Sequence, residues 1–466
     1  MKKNKIILIL AVIISSIFLF NCEDRNDLTA PGEVSTGTAD FSRFVSIGNS
    51  LTAGYQSSAL YEDAQNYSYG KMIADQIGTS YEQPIVSNPG IGGRIEISTL
   101  VPFVTSTQPV AAGLPTNTGY AGIYNNLGIP GILLADVLLT NASPSQFVGT
   151  NPLIDVVLRG QGKTVLESTL ADVPTFASVW IGNNDILGYA TSGGLLPHTP
   201  TETFGQLYGQ LIGALAQAGI KGVVANIPNV KDVPFFTTVG PSVGAGIQAV
   251  QSVNPAVQGL VYQMSDAPFI GVATVDDLLT NKVFITLKAS GAAALLGDVS
   301  GAYYTSNGID VPAGVDVAQP FGLTPQNPFP NSFVLDPAEQ LVVETVTASF
   351  NASIAGASTA FGFTLIDINE FFSEISANGI VENGLTFTTE YIFGGLFSLD
   401  GVHPTSQGYA VIANKFIEGI NSSYQAEIPQ INVSTIPGSL DLAKTALSRE
   451  NGIPSFEAGT FDGYLF

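Results

Sequence analysis

Four short β-prone runs, each tied to a turn residue and separated by helix-periodic chain, constrain this sequence more than any other feature. Phe44-Val45-Ser46-Ile47 stops at Gly48, Phe176-Ala177-Ser178-Val179-Trp180-Ile181 stops at Gly182, and Gly222-Val223-Val224-Ala225-Asn226-Ile227 stops at Pro228. The fourth, Phe363-Thr364-Leu365-Ile366-Asp367-Ile368, follows a helical stretch over residues 337–357. Ahead of the third run, Phe204, Leu207, Tyr208, Leu211, Ile212 and Leu215 recur at the spacing of one helix face. Apolar strands alternating with helices imply a parallel sheet covered on both faces, hence an α/β fold. In such a sheet ligands bind beyond the carboxyl ends of the strands. The chemistry is therefore expected in the residues just after each run.

The length of 466 residues would allow two or three domains, but no charge run or long linker divides the chain, and one decorated domain over residues 40–425 fits better. Residues 61–124 and 237–331 are rich in Gly, Pro, Ser, Thr and Asn with weak periodicity and read as insertions. They are long for passive loops. Residues 426–466 read as a C-terminal tail.

Ahead of the domain, Lys2, Lys3 and Lys5 precede an uncharged apolar run from Ile6 to Phe20, which has the length of a signal peptide and is short for a bilayer span. Cys22 follows and is the only cysteine, so no internal disulfide is possible. With Leu19 three residues before it, the segment resembles a bacterial lipoprotein signal. That resemblance implies removal of residues 1–21, lipidation of Cys22, a polar tether over 22–39, and anchoring at the outer membrane or cell surface. Loss of the three lysines takes the net charge from −22 to −25, which disfavours nucleic acid as a partner. No later stretch is apolar over a membrane-spanning length.

Only two histidines can serve as bases. His403 sits in Asp400-Gly401-Val402-His403-Pro404, where one short loop can present a carboxylate to the imidazole it carries and so fix its tautomer. His198 has no such companion and reads as surface or pocket lining. Ser50, in Gly48-Asn49-Ser50-Leu51, follows a β-run and opens a helix; taken alone it is equally a helix cap or an exposed nucleophile. The turn Gly182-Asn183-Asn184-Asp185 could offer an amide to a developing oxyanion, although alone it reads as a polar turn. Asn126-Leu127-Gly128-Ile129-Pro130-Gly131 precedes an apolar helical run over residues 132–139, so Gly131 could present an unobstructed N–H. No His, Cys and carboxylate set has metal-ligand spacing.

In this order, Gly-Asn-Ser-Leu, Asn-x4-Gly, Gly-x-Asn-Asp and Asp-x-x-His resemble the four blocks of the GDSL, or SGNH-type, esterase and lipase family. The resemblance implies a flavodoxin-like three-layer sandwich with a central parallel sheet and large loop insertions. It implies Ser50 as nucleophile, His403 as general base and then acid, and Asp400 as the group that orients His403. The Ser50 N–H, the Gly131 N–H and the Asn184 side chain would form the oxyanion hole. Asn49 departs from the Asp of the namesake motif, at a position outside the catalytic set. Asn88 to Gly93 also fits Asn-x4-Gly, but lies in an apparent insertion with no helix-like run after it.

The expected activity is hydrolysis of lipid or other acyl esters through an acyl-enzyme, with no metal or cofactor. Removal of acetyl groups from polysaccharide is the alternative chemistry. A surface lipoprotein that binds a ligand without catalysis is the alternative of another class.

Overall fold

A computed structural model describes residues 34–100, 103–267, 269–438, 448–450 and 453–455. The expected signal segment, Cys22 and most of the expected tether lie outside the described residues. The fold is carried by the unit Thr36–Phe466.

Five strands form one parallel sheet: β1 (Phe44–Gly48), β2 (Asn126–Gly128), β3 (Phe176–Trp180), β4 (Lys221–Ala225) and β5 (Thr364–Ile366). Their order across the sheet is β2-β1-β3-β4-β5, parallel throughout. Four of these are the runs expected from the sequence. The fifth, β2, is only three residues long and is what the Asn126-Leu127-Gly128 turn becomes when it pairs with β1. The chain leaves β1 for one side and β3 for the other, so the ends of β1 and β3 form the crevice where an open α/β sheet binds its ligand.

Both faces of the sheet are buried because the central strands send apolar residues to both sides, with Ser46 and Ser178 hydrogen-bonded to each other at 2.8 Å among them. Val45, Ile47, Ala177, Val179 and Val224 face one cluster, while Phe44, Phe176, Trp180, Val223 and Ala225 face the other. The first face is covered by α3 (Leu134–Leu139), α4 (Val165–Asp172), α5 (Thr201–Gln217) and α7 (Pro337–Phe361). Phe204 of α5 stacks on Phe350 of α7 with ring centroids 3.8 Å apart. The second face is covered by α2 (Tyr69–Ile77), α8 (Ile368–Asn378) and α9 (Ser406–Tyr424). Asp336 caps α7 in a reciprocal box with Glu339, and Pro337 occupies its first position.

The structure redraws three sequence boundaries. Within 61–124, α2 belongs to the sheet's covering layer, with Tyr69, Met72 and Ile73 buried against α9. A nine-residue helix carries too few turns for its period to stand out from the Gly- and Ser-rich chain around it. Region 237–331 folds around its own apolar cluster, including Val243 and Ile247 of α6 (Val239–Val253), Leu260, Phe321 and Phe329. The chain past 425 also stays on the domain, with Ile428, Ile431 and Val433 buried. Polar anchors do this work: the Asn414 side chain bonds the N–H and C=O of Ile431 at 2.7 and 3.0 Å, and Asn421 does the same for Ile428 at 2.9 Å each. Among the described residues, no helix is long and apolar enough to cross a membrane.

Candidate active site

Ser50 is set by the tight exit from β1. A Cβ at Gly48 would lie 2.0 Å from Thr52 Oγ1 and 2.3 Å from the Trp180 carbonyl, so only glycine lets the chain turn here. Asn49 then caps the four-residue helix α1 (Ser50–Ala53): its Oδ1 accepts from Leu51 N–H at 3.1 Å. Its Nδ2 donates to Asn183 Oδ1 at 3.3 Å, a bond that an aspartate at this position could not donate. The Asn49 amide thus links the turn after β1 to the turn after β3. Ser50 itself is 7% exposed.

Ser50 Oγ lies 2.8 Å from His403 Nε2, and His403 Nδ1 lies 3.0 Å from Asp400 Oδ2. The three groups form one hydrogen-bonded chain. Asp400 is held by more than the imidazole: Val402 N–H and His403 N–H donate to Oδ1 at 2.9 and 2.8 Å, and Ser58 N–H donates to Oδ2 at 2.7 Å. Burial pushes the Asp400 carboxyl up, but His403 and these N–H donors outweigh it and hold it below the usual carboxylate range.

Ser58 had no sequence signal. Ser57 and Ser58 both adopt positive φ, 50° and 63°, between Gln56 and Ala59, which exchange two backbone hydrogen bonds. That is the geometry of a two-residue mirror-image hairpin turn, a role usually filled by Asn-Gly. The turn aims Ser57 N–H at Ser398 Oγ and Ser58 N–H at Asp400. The Tyr55 ring packs beside the imidazole, with centroids 4.8 Å apart.

A cleft of about 60 Å³ opens at Ser50. Asn183, Asn184 and His403 line its polar end, and Ile186, Leu187, Ile227, Val230 and Phe372 are among its apolar residues. Asn184 Nδ2 donates to the Ile132 carbonyl at 2.9 Å, which orients the amide and leaves it one further N–H. Gly131 stands three residues past β2 with φ +83°, exposed, and is not among the residues lining the cleft. β2 pairs with β1 in the register Gly48↔Gly128, so Gly131 and Ser50 leave the sheet at neighbouring strand ends. The competing Asn88–Gly93 copy lies away from the central sheet, beside a bridge between Leu60 and Ile91. His198 is not part of the site; its Nδ1 donates to the Thr199 carbonyl at 2.9 Å. Among the described residues, no group of three or more His, Cys, Asp or Glu could hold a metal ion.

No family model matches this chain. No curated protein matches it either. Among solved structures it is similar to LAE5, an alpha/beta hydrolase enzyme from the metagenome of Lake Arreo, Spain. The identity is 11% and the TM-score 0.35, over 82% of this chain and 96% of that one. At that distance the likeness carries no weight for function, which rests on the site's own geometry.

Two supports of the site can be probed directly. Gly128 faces α1 so closely that a Cβ would lie 2.4 Å from the Ala53 backbone N. Gly128→Ala is expected to push the helix that carries Ser50 off its strand, costing about 1–3 kcal/mol in urea unfolding. Behind Asn184, Asp185 accepts from Leu134 N–H at 2.9 Å and Thr199 Oγ1 at 2.7 Å, pinning the segment after Gly131. Burial pushes its carboxyl up to about 6. A carboxyl raised by folding gives stability that is present in acid and lost as pH rises through that value. Asp185→Asn should therefore be more stable than wild type at pH 8, by up to about 3 kcal/mol, with the difference vanishing near pH 4. Urea midpoints at the two pH values test this.

Proposed function

We propose that this protein is a serine ester hydrolase of the SGNH type, acting on lipid-like acyl esters through an acyl-enzyme. The observation that carries the reading is the continuous chain Ser50 Oγ, His403 Nε2, His403 Nδ1, Asp400 Oδ2, at 2.8 and 3.0 Å. The strand order β2-β1-β3-β4-β5, with Ser50 and Asn184 at the ends of the two strands flanking the crevice, supports the same assignment.

His403 takes the Ser50 proton as Oγ attacks the ester carbonyl, and Asp400 stabilises the imidazolium that results. The carbonyl oxygen becomes an oxyanion. Its donors are the Ser50 N–H and the free N–H of Asn184, with the Gly131 N–H at the neighbouring strand end as the third that the SGNH reading supplies. His403 then returns the proton to the departing alcohol oxygen. Water repeats the sequence on the acyl-enzyme and frees the acid. Every proton moves between protein groups and substrate, so the reaction needs no cofactor.

The apolar lining of the cleft favours an apolar acyl group at Ser50 over a polar one. An anchor at Cys22 would hold the enzyme at a membrane. Reaction with a fluorophosphonate probe tests the reading: one label per chain, located at Ser50 and blocked by Ser50→Ala, is expected. An unlabelled Ser50 in folded protein removes the proposal.

A further inference from the structure

The cleft at Ser50 is not the largest cavity. A groove of about 880 Å³ runs beside it, of the size that binds a drug-sized ligand. Its walls come from both insertions: Ile95 and Phe103 from the first, Val243 and Ile247 of α6 with Leu296 and Leu323 from the second. The loop that carries Asp400 and His403 closes it, through Tyr391, Ile392 and Leu399.

Groove and cleft share a wall. Leu399 lines the groove, while Val402 and His403 of the same loop line the cleft. Val233 lines the cleft, and Thr238, five residues on, lines the groove. Between them Phe235 N–H donates to the Gly401 carbonyl at 2.9 Å.

The direction of proton transfer decides which half of an ester belongs on each side. His403 must hand its proton to the leaving alcohol oxygen, so the alcohol sits against the His403 loop, next to the groove. The acyl group then points the other way, into the cleft toward Ile186, Leu187 and Ile227. That cleft, at about 60 Å³ against about 880 Å³ for the groove, is the smaller of the two and suits the shorter, acyl half of the ester. We infer that the groove is the binding site for a long apolar alcohol portion, and that the preferred substrates are short-chain acyl esters of lipid-like alcohols. This rests on the ester hydrolase reading and sharpens it.

The test uses two isomeric esters of the same composition, octyl acetate and ethyl octanoate, with phenyl acetate as a small reference. Wild type is expected to favour octyl acetate by at least about tenfold in kcat/KM, since each buried methylene contributes about 0.8 kcal/mol. Gly246 of α6 lines the groove and has open space around it, so Gly246→Trp fills the groove without a clash. It should lower the ratio of octyl acetate to phenyl acetate turnover by about tenfold or more. Gly356→Trp, at an exposed and equally open site on α7, should leave that ratio at the wild-type value. A preference for ethyl octanoate, or an octyl acetate ratio that Gly246→Trp does not change, overturns the assignment while phenyl acetate turnover leaves the hydrolase reading intact. If no ester is turned over and Ser50 takes no phosphonate, both fall.

Discussion

Replacing Ser50 by alanine is expected to lower turnover of phenyl acetate by about 10⁵ to 10⁶-fold with the fold unchanged. His403→Ala should fall to the same floor, and the double variant should fall no further. The reason is geometric. Ser50 Oγ and His403 Nε2, 2.8 Å apart, act as one unit, because the hydroxyl attacks only as the imidazole takes its proton. Once either is gone, what persists is binding and the oxyanion donors, which are common to all three variants. Initial rates on the single and double variants, with circular dichroism to check folding, measure this. Losses that multiply in the double variant would mean the two residues act independently, which the chain of hydrogen bonds does not allow.

Asp400→Asn should cost about 10⁴-fold in kcat while leaving Ser50 and His403 in place. Asp400 receives four N–H groups on two oxygens, from Ser58, Val402, His403 and the His403 ring. An asparagine keeps one accepting oxygen. If its NH₂ turns to the imidazole, the ring must carry its proton on Nε2, and that tautomer cannot accept the Ser50 proton. If the NH₂ turns the other way, it meets the Val402 and His403 N–H groups instead. The same contacts carry a pH signature. Because folding holds the Asp400 carboxyl below its usual range, it stabilises the protein at neutral pH, and that stability is lost as pH falls through the depressed value. Asp400→Asn should therefore lower stability by about 1–3 kcal/mol at pH 7 and by less in strong acid. Urea titrations at pH 7 and pH 3 give the comparison. Equal losses at both would show that the carboxylate charge contributes nothing to folding.

The sequence made the sheet legible because its long strands are apolar on both faces and each is stopped by a turn residue. β2 escaped, since Asn126-Leu127-Gly128 is too short to show a period and becomes a strand only through its register with β1. The proximity of Asp400 to His403 could be read from a spacing of three residues. Ser50 could not be placed beside them from the chain alone, and only the order of the four motifs suggested it. The turn at Ser57 and Ser58 was invisible for another reason. Its strained backbone is imposed by tertiary contacts to Ser398 and Asp400, which leave no mark on local composition. The groove was foreshadowed only by the length of the two insertions, because its walls come from segments far apart in the chain.

Ser50 lies just past the first strand of the domain, and His403 follows it 353 residues later. A ribosome that has released Ser50 has yet to make His403. Any chain cut or halted before that point carries an ordinary serine, with no partner to take its proton. Such fragments would be chemically silent toward esters, and reactivity would arrive only with the last large helix of the domain. A chain labelled by a phosphonate is thereby reported as folded and as reaching at least to His403.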